Sequence, residues 1–134
     1  MPVFADQYDK EPIILVRFEG EFSVNSFQVM CDLSAQYAER IPSPVLYRII
    51  ELANANAKFG DVLAVLKQVD QYQVGGIADP RIKTFFAGQD PMARLMSDML
   101  AQKQFGGLYA PVMPGLGEAL IYAEDELDKV RAGH

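Results

Sequence analysis

The chain has 134 residues, half of them hydrophobic and 22% charged, with a formal net charge of −6. That length and composition suit a single domain over residues 1–134 with a self-sufficient core, and they exclude a disordered chain. The twelve Lys and Arg are scattered, so no basic stripe is available for nucleic acid or for an anionic membrane surface.

The longest apolar run is only a few residues, too short to span a bilayer. The start, MPVFADQYDK, lacks the charged and apolar regions of a signal peptide. Cys31 is the single cysteine, so no intrachain disulfide can form and a reducing, cytoplasmic location is expected.

In chain order, residues 3–8 predict a short strand and residues 13–19 a stronger one, joined by a hairpin through Lys10-Glu11-Pro12. Ile14, Val16 and Phe18 form its apolar face, and Pro12 fits a strand start. Val24, Phe27, Met30, Cys31, Ser34, Tyr37 and Ala38 then recur at helical spacing. Asn25 with Gln28 makes a capping-box variant there, and Ser23 competes as the cap. Ile41-Pro42-Ser43-Pro44 ends the helix, because proline lacks an N–H and forces its neighbour out of helical geometry.

A strand over 45–52, interrupted in its alternation by Tyr47, Arg48 and Glu51, leads through a loop over 53–60 into a helix over 61–72 ended by Gly75-Gly76. The interruptions predict a sheet less thickly covered than in a large doubly wound enzyme. Residues 81–87 predict a strand centred on Phe85 and Phe86. Asp90-Pro91 then reads as an N-cap followed by a first helical residue, opening a helix over 92–104 that Gly106-Gly107 closes. A short strand over 108–112 and a last helix from 116, burying Leu120, Ala123, Leu127 and Val130, complete the order β-β-α-β-α-β-α-β-α. The fold class is therefore α/β: a mixed, mostly parallel sheet with an N-terminal antiparallel hairpin, four helices and right-handed crossovers on one face or both.

Three blocks, LYRIIELANANAKFGDVLAVL, DPRIKTFFAGQDPMARLMSDML and QKQFGGLYAPVMPGLGEALIYAEDEL, resemble the SpoIIAA-like, STAS-related family, and in particular its small bacterial STAS/SEC14-like members. The resemblance covers most of residues 13–127 and implies a SpoIIAA-like fold. It also implies protein partners as in anti-sigma antagonism, or, through the SEC14-like grouping, a small apolar, lipid-like ligand. STAS antagonists carry a phosphorylatable serine where the helix starts after the third strand. Here that stretch is Lys58-Phe59-Gly60-Asp61-Val62, and no Ser, Thr, Cys or His lies between Ile50 and Tyr72. Asp61 supplies a fixed negative charge at that helix start but lacks the oxygens of a phosphoryl group.

The remaining chemistry is sparse. His134, the sole histidine, is the last residue, where a frayed terminus holds no general base or zinc in place. Cys31, on an apolar helix face, reads as a structural thiol. Gly115-Leu116-Gly117 lacks the third glycine of a dinucleotide fingerprint. Asp61 and Asp79 would have to converge for carboxylate catalysis, and their spacing does not require it. Met92, Met96 and Met99 form a stripe that reads as core or as an apolar-ligand face. Asn54 and Asn56 suit loop geometry or a recognition edge beside Lys58 and Phe59.

The expected function is a non-enzymatic binding or regulatory module that uses Asn54, Asn56, Lys58, Phe59 and Asp61 to engage a protein partner. The alternative is a small apolar-ligand carrier with its pocket between the Met92–Met96–Met99 face and the sheet. No cofactor and no metal are expected. The hairpin edge and the methionine stripe each offer a surface for a homodimer.

Overall fold

A computed structural model describes residues 3–133; His134 lies outside them. The first strand, β1 (Val3–Gln7), pairs antiparallel with β2 (Ile13–Glu21), and β3 (Leu46–Asn56), β4 (Ile82–Ala87) and β5 (Val112–Met113) continue the sheet in parallel. The spatial order is β1-β2-β3-β4-β5, the same as the sequence order.

That order decides where the helices go. Right-handed crossovers between successive parallel strands that advance in one direction place their helices on one face. Accordingly α1 (Val24–Arg40), α2 (Phe59–Leu66) and α3 (Pro91–Leu100) cover one side, with Phe27, Met30, Val62, Leu66 and Met96 against Ile14, Val16, Ile50 and Phe86. The other face is left to α4 (Leu116–Ala132), which packs Ala119, Ala123 and Leu127 on Ile13, Ile49 and Phe85. Two fully buried alanines a turn apart let α4 approach the sheet closely. Ala123 and Leu127 are buried as expected, while Ala119 takes the place of Leu120, which like Val130 is only half-buried.

The caps follow local chemistry. Ser23, not Asn25, caps α1: its hydroxyl accepts from Ser26 N at 3.2 Å, and Ser26 Oγ accepts from Ser23 N at 2.8 Å. Asp90 caps α3 by accepting from Met92 N at 2.7 Å, with Pro91 in the first turn, as expected. At the other end of α1, Arg81 donates to the carbonyls of Ala38, Ile41 and Ser43, filling orphan acceptors that the Pro42-Pro44 stop leaves behind.

Several boundaries move. β3 runs four residues beyond 52, because residues 54–56 stay paired with Glu19, Gly20 and Glu21 of β2. The second helix starts at Phe59 instead of Asp61, ends at Leu66, and is followed by a separate 3-10 turn at Val69–Gln71. The third ends at Leu100, with a 3-10 turn at Lys103–Phe105. The last strand shrinks to two residues, because Leu108 N is drawn to Leu100 O at 2.7 Å and Pro111 has no N–H to pair.

Arg48 reads in the sequence as a break in strand 45–52, yet it has no exposed surface at all. It lies on the helix-covered face, where it donates to Ser34 Oγ of α1 and Thr84 Oγ1 of β4, both at 3.0 Å, and to Gly75 O. Burial lowers its pKa to about 10, so it remains cationic at neutral pH. Neither Arg48 nor Tyr47 therefore marks exposed strand, although the second face carries only the single helix α4.

Gly75 makes that arrangement sterically accessible. It adopts φ +82°, and a Cβ there would lie 2.2 Å from Cys31 O and 2.9 Å from Ala35 N. Asp79 secures the same turn, accepting from Gly75 N at 2.8 Å and Arg81 N at 3.0 Å. Gly75→Ala is expected to destabilise the protein by about 2 kcal/mol or more, through backbone collision and positive-φ strain together. Urea unfolding measures it, and an unchanged midpoint would show that α1 and this turn are not in such contact.

Candidate functional site

The carboxyl edge of the parallel strands is where open α/β sheets place ligands and partners. In this chain β3 pairs with β4 only from Leu46 to Glu51, while its pairing with β2 continues to Asn56. A two-stranded ribbon therefore projects past the rest of the sheet. A bulge falls within it, where the pairing steps from Arg17↔Glu51 to Glu19↔Asn54.

The bulge explains which side chains become available. Leu46, Arg48, Ile50 and Leu52 alternate onto the helix-covered face, and an unbroken strand would send Asn54 and Asn56 there too. One extra residue reverses the alternation. Ala55 packs against the helix-side core instead, and the Asn54 and Asn56 amides are exposed. They therefore stand on a strand, not in the loop predicted over 53–60.

The chain then turns at Ala57 into α2. Lys58 holds the N-cap position without a side-chain hydrogen bond to the helix, since an ammonium has no acceptor to offer its N–H groups. Phe59, the first helical residue, is 53% exposed. Asp61 lies in the first turn, half-buried, where the helix dipole favours its charge. The structure thus brings Asn54, Asn56, Lys58, Phe59 and Asp61 together along one ribbon end and helix start. A groove of about 540 Å³ lies on the same edge, between the 88–91 turn with Arg94 and residues 112–114.

Other sequence candidates are placed elsewhere. Met96 is fully buried in the helix-side core, and Met92 and Met99 pack against that same core. Asp79 precedes β4 at the opposite edge of the sheet from Asp61, so these two carboxylates do not converge. Among the described residues no group of three or more His, Cys, Asp or Glu is placed to hold a metal ion. No helix there is long and apolar enough to cross a membrane.

Cys31 is buried on α1, and burial pushes its thiol pKa up to about 12, with Asp32 adding to the rise and Arg48 opposing it. Two features escaped the sequence reading. One is the buried Arg48, which lacks any motif. The other is the projection of the ribbon, which depends on where β4 stops.

No family model matches the chain, and no curated protein matches it in sequence. Among solved structures, one is an uncharacterized protein of the DUF3478 family with a SpoIIAA-like fold from Shewanella loihica PV-4. The two share 10% identity over 91% of this chain and 92% of that one, with a TM-score of 0.59. Another is the anti-sigma factor antagonist SpoIIAA in its unphosphorylated form, with 16% identity, 97% and 98% coverage, and a TM-score of 0.50. The chain has a SpoIIAA-like fold, as its three sequence blocks suggested.

The thiol gives a prediction with a definite sign. Its folded pKa lies above the ordinary value of 9.0, so the stability it contributes is complete below pH 9 and declines as the unfolded thiol ionises. Between pH 9 and 10 this decline is about 1 kcal/mol, and Arg48, with its pKa of about 10, loses protons over the same range in both the parent and the Cys31 variant. Urea unfolding at both pH values is expected to show a steeper loss for the parent than for Cys31→Ala. Equal losses would mean that the thiol is not buried as described.

Proposed function

We propose that the protein is a non-enzymatic binding module that engages a protein partner through the end of the β2–β3 ribbon and the first turn of α2. The observation that carries this reading is Phe59: a large aromatic ring, more than half exposed, flanked by Asn54, Asn56 and Lys58, all exposed. Aromatic anchors ringed by polar groups are the usual high-energy centres of protein interfaces. The SpoIIAA structure is that of an anti-sigma factor antagonist, and its fold likeness directs attention to the same strand–helix junction.

The mode of recognition differs from a phosphoryl switch. With no hydroxyl residue between Ile50 and Tyr72, the junction offers nothing to phosphorylate. Its charge is set instead by Lys58 and Asp61. Recognition would rest on surface complementarity, with Phe59 entering a pocket on the partner and the Asn54 and Asn56 amides bonding at the rim.

The test is quantitative affinity capture from the source lysate, read by mass spectrometry, comparing the parent with Phe59→Ala and Asn56→Ala. Loss of a centrally buried aromatic commonly weakens binding by about 2 kcal/mol or more, so Phe59→Ala is expected to reduce the specific partner at least tenfold, with a smaller loss for Asn56→Ala. Equal recovery of the same partner by all three proteins would rule out this surface.

A further inference from the structure

We propose that the outer edge of β1 pairs with the same edge of a second copy of the chain, joining two five-stranded sheets into one across a two-fold axis. The main-chain groups on that edge follow from the hairpin. Tyr8 N donates to Ile13 O at 2.9 Å, and Asp6↔Leu15 and Phe4↔Arg17 continue the same register. Antiparallel pairing alternates, so Phe4 and Asp6 spend their N–H and C=O groups on β2, while Val3, Ala5 and Gln7 turn theirs outward. Tyr37 agrees with that direction, because its hydroxyl reaches Ala5 O at 3.0 Å from α1.

This edge is complementary to itself. Set antiparallel about Ala5, it places Val3 opposite the second copy's Gln7, Ala5 opposite Ala5, and Gln7 opposite Val3. Each of these pairs matches outward N–H to outward C=O. Ala5 O keeps a lone pair for the facing N–H, because Tyr37 takes only one. Val3 and Ala5 pack on the helix-side core, so Phe4 and Asp6 stand on the other face, where Phe4 meets the second copy's Asp6. Arg17 already leans over the Phe4 ring, 4.7 Å from its centroid, and among the described residues it spends only Nε, on Glu19. Its remaining N–H groups are free to meet the second copy's Asp6 carboxylate.

The devices that keep strand edges apart are missing from β1. It carries no lysine, no proline and no bulge, and its Phe4, Asp6 and Gln7 are exposed. Leu33, one turn before Tyr37 on the same stripe of α1, stays half-buried outside the core and gives the two α1 helices an apolar flank to share. The far edge of the sheet differs, since β5 has only two residues, so the β1 pair closes on itself without propagating a fibre. Of the two homodimer surfaces expected from the sequence this selects the hairpin edge, because Met96 of the methionine stripe is fully buried. An edge of 5 residues is smaller than a standard interface, so the dimer is weak, with a Kd between micromolar and millimolar. It is independent of the partner surface at Phe59.

Sedimentation equilibrium of the full chain, from about 10 µM to about 1 mM, tests the proposal. A reversible monomer–dimer equilibrium is expected, with no larger species. Isotope-filtered NOEs in a mixture of labelled and unlabelled chains should then join Phe4 Hα to Asp6 Hα of another chain, because non-hydrogen-bonded pairs bring their Cα atoms to about 4.5 Å. Ala5→Pro removes the central outward N–H while leaving the β2 ladder intact, and should weaken dimerisation by about tenfold or more. Asp6→Lys, an exposed change that puts a like charge beside Arg17, should weaken it severalfold, while Phe59→Ala should dimerise as the parent does. The proposal is overturned if the chain stays monomeric throughout, which would leave the edge to another protein's strand, or if dimers form without the Phe4–Asp6 contact. It is equally overturned if Asp6→Lys and Ala5→Pro both dimerise like the parent.

Discussion

A single guanidinium, the one buried charge among the described residues, holds the helix-covered side of this fold in register. Arg48 is the third residue of β3 and reaches three separate parts of the chain: Ser34 on α1, the carbonyl of Gly75 in the connection after α2, and Thr84 on β4. None of these partners is a carboxylate, and its Nε has no protein partner among the described residues. Burying a charge this way is unfavourable unless its hydrogen bonds are made. The three acceptors are therefore fixed as a set, which is a constraint on shape more than a source of net stability. Gly75, with no room for a Cβ against α1, is the residue that lets the connection come close enough to take part.

The consequences run outward from that point. With the 75–81 connection locked, Asp79 and Arg81 complete a polar seam that closes the end of α1. The inner half of β3 is then clamped between β2 and β4, while its outer half is paired on one side only. A strand anchored at one end and projecting at the other makes a rigid platform for an exposed aromatic at the following helix start.

Much of this architecture is legible in the sequence, for physical reasons that can be named. Pro42, Pro44, Asp90-Pro91 and the glycine pairs punctuate the chain so strongly that element order follows from local chemistry alone. What is not legible depends on tertiary pairing. Alternating Ala and Asn over 53–56 have weak strand propensity, and only the β2 partner makes them a strand. Arg48 looks like a solvent-facing break, because nothing local announces that Ser34 and Thr84 will meet it. The candidate partner residues were readable as a cluster, since they are consecutive around one junction.

The account stands most directly on Arg48 as the clamp that fixes the 75–81 connection while leaving the ribbon end independent. Native-state hydrogen exchange of Arg48→Met, which keeps the length and removes the donors, measures this segment by segment. Faster exchange over residues 75–84 and near α1 at Ser34 is predicted, relative to little change over residues 57–61. Parent-like protection over residues 75–84 would show that the buried guanidinium holds nothing in place.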